Sequence, residues 1–462
     1  MNKNKALIKK PLFSTLMKLS WPIMVGESMH LMYNLADTFW IGRLGADFLA
    51  AITVSFPLIF LFFSVGIGFS IAGISLVSQY TGAEQTKKAN LAAAQTLMVA
   101  ITISIIFSII GSIYGENLLN MLGAEAEILP YAWSYFRIIL FVIPLMFTFF
   151  IFSATMQAIG DTKTPMYIQL ITVTINIIFD PILIFGWGIF PQLGIAGAAI
   201  ATAITNLIAT LISIYVLFSG KKGIHLKLHH LKPDWKMIKK IIRIGLPAAL
   251  GEAALATAIS VLTSLVAGFG TFVLAAYGVA GRITSMIRMP AIGISRATGV
   301  LVGQHLGAEQ PDQAEKTSWI SAGLIFGVMT LVAVIMLLVA PPLVGLFAQE
   351  TEVIDIGTKY LRIAGFAFSF LGVQMVLGGA LSGAGKTMQQ TFFNLMTLWG
   401  FQVSLSYLLA YQAGMQESGI WWGIFAAKLL GATIMCLWFR KGTWKSRVIE
   451  NEPEAKVAAE IG

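Results

Sequence analysis

Charge is the scarcest commodity in this sequence. Asp, Glu, Lys and Arg make up 11% of its 462 residues, whereas soluble domains carry about a quarter. With 57% of residues hydrophobic and a mean hydropathy of +0.79, a soluble globular chain is excluded, because no core could bury that much apolar surface. A single cysteine, Cys436, rules out an intrachain disulfide and a Cys-based metal site. No P-loop, HExxH or GxSxG stretch occurs, so no catalytic constellation is present and the chain does not read as an enzyme. No cofactor is expected. No soluble stretch is long enough for a nucleotide-binding domain, so any active transport must draw on an ion gradient. No small-residue cleavage site follows the first apolar run, so the first span is expected to act as its own signal.

What is abundant is apolar runs of about 20 residues, the length that crosses a bilayer as helix. Only helices satisfy their own backbone there without closing a barrel. The 44 glycines fit a bundle in which membrane helices pack closely. Breaks at charge, Gly and Pro predict twelve helices, near 16–38, 48–78, 92–114, 131–158, 165–187, 194–218, 241–264, 271–303, 317–339, 356–383, 390–412 and 418–438. The fold class is therefore an all-α polytopic membrane protein.

The net charge of +9 does not indicate nucleic acid, because it sits in short segments beside spans. Lys3, Lys5, Lys9 and Lys10, the stretch KKGIHLKLHHLKPDWKMIKK, and Arg440, Lys441, Lys445 and Arg447 fall on one face if there are twelve spans. Lys87, Lys88 and Lys163 join them, while Glu116, Glu125, Glu127, Glu350, Glu352, Asp355 and Glu417 mark the other face. The positive-inside rule then places both termini in the cytoplasm of a cell (inner) membrane protein.

The tetrapeptide GAEQ occurs at 82–85 and again at 307–310. The same offset of 225 pairs Pro22, Gly26 and Glu27 with Pro247, Gly251 and Glu252, Gln79 with Gln304, and Gly160 and Thr162 with Gly385 and Thr387. The chain thus reads as two homologous six-helix lobes, parallel repeats with substrate space between them. The expected division is an N-lobe over 1–218, a basic linker over 219–240, a C-lobe over 241–440 and a tail over 441–462. The glycine of GAEQ is expected to take the left-handed cap conformation at the end of its helix.

Where the repeat fails, function is expected. Leu262, Phe401 and Leu405 stand opposite Asp37, Asn176 and Asp180. Charges inside spans are costly and mark functional candidates. Glu27, His30, Asn34 and Asp37 follow helical steps that put them on one face. Asn176 and Asp180 share a face four residues apart, and Pro181 withholds an N–H from the carbonyl of Ile177. This oxygen-rich set suits a hard cation or a proton, and Thr202 lies at the same depth. A boundary charge in the headgroup region is the plain alternative for Asp37. Glu27 and Glu252, with His30 and Asn34, are candidates for gating or substrate binding. Pro22 and Pro247 are candidate bending points. Arg282, Arg288 and Arg296 lie along the eighth helix as snorkelling or paired cations, and Lys428 is a candidate tethered cation in place of an ion.

These features together resemble the multidrug and toxic compound extrusion (MATE) family across nearly the whole chain. The matching stretches are LSWPIMVGESMHLMYNLADTFWIGRLG, Q-x-x-G-A-E after helices two and eight, QAIGDTKTPM, NIIFDPILIFG and LGIAGAAIAT. The resemblance implies twelve helices in two pseudo-symmetric six-helix lobes and alternating access. It implies export of organic, cationic and amphiphilic compounds in exchange for Na⁺ or H⁺. It also implies an N-lobe cation site at Asp37, Asn176, Asp180 and Thr202, which would be the Na⁺ ligands in a sodium-coupled member. Some relatives use a Glu in helix seven, matched by Glu252, and an Asp in helix ten, where this chain offers Gln374. That departure disfavours a C-lobe ion site.

The expected substrate cavity is lined by Met and aromatic side chains that re-pack around varied ligands. The expected partners are small organic cations, the coupling cation and the bilayer, with the protein a monomer. A lipid-linked oligosaccharide flippase of the same superfamily is the alternative; it should show a hydrated cationic cavity and extra helices. A major-facilitator transporter would carry an Asp-Arg-rich loop where GAEQTKKA stands.

Overall fold

The computed structural model describes residues 11–449. Among these there is no strand; helices, short turns and loops make up the chain. Lys3, Lys5, Lys9 and Lys10, and the tail beyond 449, lie outside the described residues. The N-terminal half consists of α1 (Leu12–Gly42), α2 (Ala46–Gly82), α3 (Thr86–Met121), α4 (Leu129–Ala158), α5 (Lys163–Phe185) and α6 (Ile195–Ser219). After a linker with one 3₁₀ turn, Leu228–Leu231, the second half begins with α7 (Trp235–Ala267). There follow α8, in two pieces (Thr271–Ile287 and Met289–Gly307), α9 (Pro311–Gly345) and α10 (Thr351–Gly383). The last two are α11 (Thr387–Gln412) and α12 (Gln416–Phe439). The twelve expected spans are all present as helices, most of them longer than their apolar runs.

Ten of the helices are long and apolar enough to cross a membrane. The two departures are informative. α1 is diluted by Glu27, His30, Asn34 and Asp37. α8 is divided at Arg288, which ends one piece and precedes the other. Pro290 is the cause: without an N–H it cannot bond the carbonyl of Met286, and its ring crowds that turn. α11 departs differently, with π-helical turns over Met396–Val403 and Leu408–Gln412. Such turns widen a helix locally and are frequent at functional sites.

Each half has its own core, built from α2–α6 in the first and α8–α12 in the second. The first turns of α1 and α7 are exchanged between them. Leu16 and Leu19 pack in the second core, while Ile241 and Ile244, their repeat mates, pack in the first. Burying each such side chain contributes about 1.5–3 kcal/mol, so the exchange anchors the halves to one another on the face that carries both chain ends.

The repeated Gln and GAEQ lie at that junction. Gln79 Nε2 donates to the carbonyl of Gly383 in the other half at 2.9 Å, and Gln304 Nε2 donates to the carbonyl of Ala158 at 2.8 Å. Gly82 and Gly307 let the two helix ends cross: a Cβ on Gly82 would collide with the carbonyl of Gln304, and one on Gly307 with the carbonyl of Gln79. The left-handed residue of each loop is not the glycine, as expected from the sequence, but Glu84 (φ 59) and Glu309 (φ 60). The glycines stay helical because their task is close approach of two backbones; the chain turns two residues later.

Candidate functional site

Two polar sites lie in different halves, joined by a run of cavities. In the first half, α1, α4, α5 and α6 converge. Asn176 and Asp180 are fully buried on α5 and Thr202 is buried on α6. Asn176 Nδ2 donates to Asp180 Oδ1 at 3.2 Å. The Asp37 carboxyl lies beside both Asp180 and the Tyr33 hydroxyl. Tyr33 in turn is 2.6 Å from Thr202 Oγ1. Tyr135 of α4 closes the cluster beside both carboxyls.

The chemistry of this cluster is incomplete as it stands. Asp37 Oδ1, Asn176 Oδ1 and Asp180 Oδ2 are all buried without a hydrogen-bond partner. Among the described residues neither carboxyl has a salt bridge. Buried polar atoms are ordinarily satisfied, and two carboxylates pressed together repel strongly in low dielectric. Three unmatched oxygens around a doubly acidic centre fit a small hard cation, which prefers oxygen ligands. A proton shared between the carboxyls would meet the deficit of Asp37 and Asp180 and leave Asn176 Oδ1 unmatched.

The other expected residues divide. His30 is half-buried, stacks on Tyr33 with ring centroids 6.2 Å apart, and lines a cavity of about 130 Å³ together with Glu27 and Gln169. Asn34 does not join it: the side chain is exposed and bonds back to the carbonyl of His30 at 2.8 Å. Pro22 and Pro247 are buried inside unbroken helices. Glu27 forms an ion pair with Arg296 of the other half at 3.0 Å.

That pair opens onto a central cavity of about 280 Å³ between the halves, where Glu252, Arg288, Gln374 and Lys428 also stand. Gln374 donates to Thr397 Oγ1 at 2.8 Å. Arg288 and Lys428 then line a further chamber of about 620 Å³ within the second half, with Arg282, Tyr277, Tyr360 and Phe368. The central cavity is thus not the Met- and aromatic-lined space expected for the transport reading; it is charged, with the aromatic rings in the second chamber. Lys428 does not stand in for a bound ion among carboxylates. It shares both cavities with Arg288, of the same sign.

Sequence reasoning missed Tyr33 and Tyr135. Tyr33 had a legible signal, four residues before Asp37 and so on the same helical face. Tyr135 had none, because only tertiary packing brings α4 to α1 and α5.

The MatE family model matches residues 22–182 and again 247–408, two copies whose starts differ by the 225 residues of the internal repeat. "Probable multidrug resistance protein YoeA" of Bacillus subtilis is 25% identical over 432 residues, covering 93% of each chain. An "FAD transporter" of Shewanella oneidensis is 29% identical over 420 residues, covering 90% of this chain and 92% of its own. Among solved structures, an outward-facing multidrug resistance MATE family transporter of the MOP superfamily superposes with a TM-score of 0.90 at 24% identity. It covers 96% of this chain and 98% of that one.

Proposed function

Because the chain belongs to the MatE family, whose model spans both of its halves, we propose that it is a secondary antiporter that exports organic small molecules in exchange for Na⁺ or H⁺. The observation that carries the exchange is the set of three buried, unmatched oxygens, one each on Asp37, Asn176 and Asp180, with no basic partner for either carboxyl among the described residues. Relatives named for multidrug resistance support the export of small molecules. The transported cation is a co-substrate here, held by Asp37, Asn176, Asp180 and Thr202 with Tyr33 bracing the set.

α1 connects that site to the rest. One end carries Asp37, its middle carries Glu27 on Arg296, and its other end is buried through Leu16 and Leu19 in the second core. Loading a cation between Asp37 and Asp180 draws α1 toward α5. The displacement acts on the Glu27–Arg296 pair at the interface between lobes. Exchange requires that the cation bind the two lobe arrangements unequally, and α1, gripped by both halves, is the element through which it does so. Pro22 leaves the carbonyl of Lys18 without its helical partner, lowering the cost of bending there. Glu252, the repeat mate of Glu27, faces the same cavity and serves substrate binding or gating with Gln374.

The lobe boundaries at 218 and 241, cytoplasmic termini and an inner-membrane location complete the reading; the basic linker supports the orientation. A flippase of the same superfamily gains one of its two expected marks, a basic cavity, but helices beyond twelve are not found among the described residues.

The test is efflux of fluorescent organic compounds from proteoliposomes under Na⁺ and pH gradients imposed separately. Efflux driven by one of the two supports the proposal and names the ion. Efflux indifferent to both gradients would overturn coupled exchange.

A further inference from the structure

The cavities carry an excess of positive charge on the side where substrate must bind. Four cations, Arg282, Arg288, Arg296 and Lys428, line the central cavity and the adjoining chamber, against two carboxylates, Glu27 and Glu252. Glu27 is committed to Arg296 at 3.0 Å. The larger chamber is lined by Arg282, Arg288 and Lys428 and by no carboxylate. Arg288 Nε is buried without a hydrogen-bond partner, and among the described residues Lys428 has neither a salt bridge nor a hydrogen bond. Two like charges from different helices, Arg288 at the break of α8 and Lys428 in the middle of α12, both line the central cavity and the larger chamber. That arrangement is costly when empty and is relieved by an anion between them.

We infer that the compound this protein exports is an anionic aromatic amphiphile, its acidic group held between Arg288 and Lys428 and its rings in the chamber beside Tyr277 and Tyr360. The inference rests on the transport reading above and replaces the cationic substrate expected from the resemblance. A cation would have to enter a space whose only acidic groups are Glu27, already paired, and Glu252, which lies in the field of Arg288 and Arg296. A planar guanidinium offers a fork of donors that matches a carboxylate, sulfonate or phosphate, and the ammonium adds a point charge. The rings are in place: Tyr360 and Trp421 meet edge to face at 4.7 Å, and Tyr277 stacks on Trp421 at 5.8 Å. A volume of about 620 Å³ falls within the range of small-molecule sites. The halves of the molecule therefore divide the labour by sign, with an acidic pocket for the cation and a basic chamber for the organic anion.

The test uses two dyes that share a xanthene ring system and differ in charge: carboxyfluorescein, an anion, and rhodamine 123, a cation. Affinity is measured on the purified full-length protein, and transport in proteoliposomes, for wild type, Arg288→Gln, Lys428→Gln and the charge-keeping Arg288→Lys. The expected result is tighter binding of carboxyfluorescein, weakened tenfold or more by Arg288→Gln and by Lys428→Gln, and less by Arg288→Lys. All variants should keep the wild-type unfolding midpoint within a few degrees. Displacement of carboxyfluorescein by dioleoyl phosphatidate, with loss of displacement in Arg288→Gln, would assign the same site to a lipid headgroup; displacement by a soluble aryl phosphate alone would assign it to a water-soluble anion. Preference for rhodamine 123, or carboxyfluorescein affinity unchanged in both neutral variants, overturns the inference. Arg288-dependent binding without gradient-driven movement of either dye would leave the anion site standing and overturn the antiporter reading instead.

Discussion

Gln79 and Gln304, repeat mates at the ends of α2 and α8, each donate across the lobe boundary to a backbone carbonyl of the other half, at 2.9 and 2.8 Å. Their acceptors, Gly383 and Ala158, are themselves repeat mates. The junction is thus a two-fold latch within one chain. Each buried bond contributes about 1 kcal/mol, so Gln79→Ala with Gln304→Ala should shift the lobes toward separation on this face by roughly 30-fold. Electron–electron distance measurements between spin labels at Lys87 and Gln313, in a Cys436→Ser background, read that shift. A longer-distance population that grows in the double variant is expected, and an unchanged distribution would contradict the latch.

The glycines beside the latch are under a steric demand that others are not. Gly82→Ala and Gly307→Ala each drive a methyl group into a backbone carbonyl, whereas Gly323 in α9 has nothing within 4 Å of its would-be Cβ. Overpacking of this kind costs about 1–3 kcal/mol. The thermal unfolding midpoint of the purified protein should fall clearly for the first two substitutions and hold or rise slightly for Gly323→Ala.

In the proposed cation site, Tyr33 is a brace that supplies none of the charge. Tyr33→Phe removes the bond to Thr202 and the donor beside Asp37, worth about 1–2 kcal/mol together. The concentration of coupling cation giving half-maximal transport should rise by roughly 5- to 30-fold. The maximal rate should survive, in contrast to Asp37→Asn.

Exporting an anion while admitting a cation moves charge in the same direction twice. An interior-negative potential should therefore drive the exchange, by about 2.3 kcal/mol per elementary charge per 100 mV. Carboxyfluorescein export from proteoliposomes should accelerate when a valinomycin potassium potential is imposed with the correct sign and slow when it is reversed. Transport blind to potential would contradict the division of the protein into an acidic and a basic half.

Much of this was legible in the sequence, and for definite reasons. The twelve helices follow from apolar runs broken at charge, Gly and Pro, and the two halves from one offset that pairs Glu27 with Glu252 and Gln79 with Gln304. The cluster of Asp37, Asn176 and Asp180 showed itself as the place where the repeat fails, and the structure brings those residues together. What stayed hidden depended on tertiary position. The break in α8 had its cause in Pro290, but a proline alone does not tell a kink from a gap. GAEQ reads as a cap because glycine favours left-handed backbone; its true constraint, a crossing with the opposite half, is not local. Arg288 and Lys428 are 140 residues apart in the chain and nothing in their spacing announces a shared chamber, so the polarity of the substrate space emerged only from the fold.

The most direct measurement counts the cation. Purified wild type, Asp37→Asn and Asp180→Asn are compared by equilibrium binding of radioactive Na⁺ and by difference proton titration at fixed salt. If Asp37 and Asp180 hold the coupling ion together, wild type binds one Na⁺, or takes up one proton, more per molecule than either variant, and both variants lose it. Cation uptake by both variants equal to that of wild type would contradict the assignment and remove Asp37 and Asp180 from the exchange.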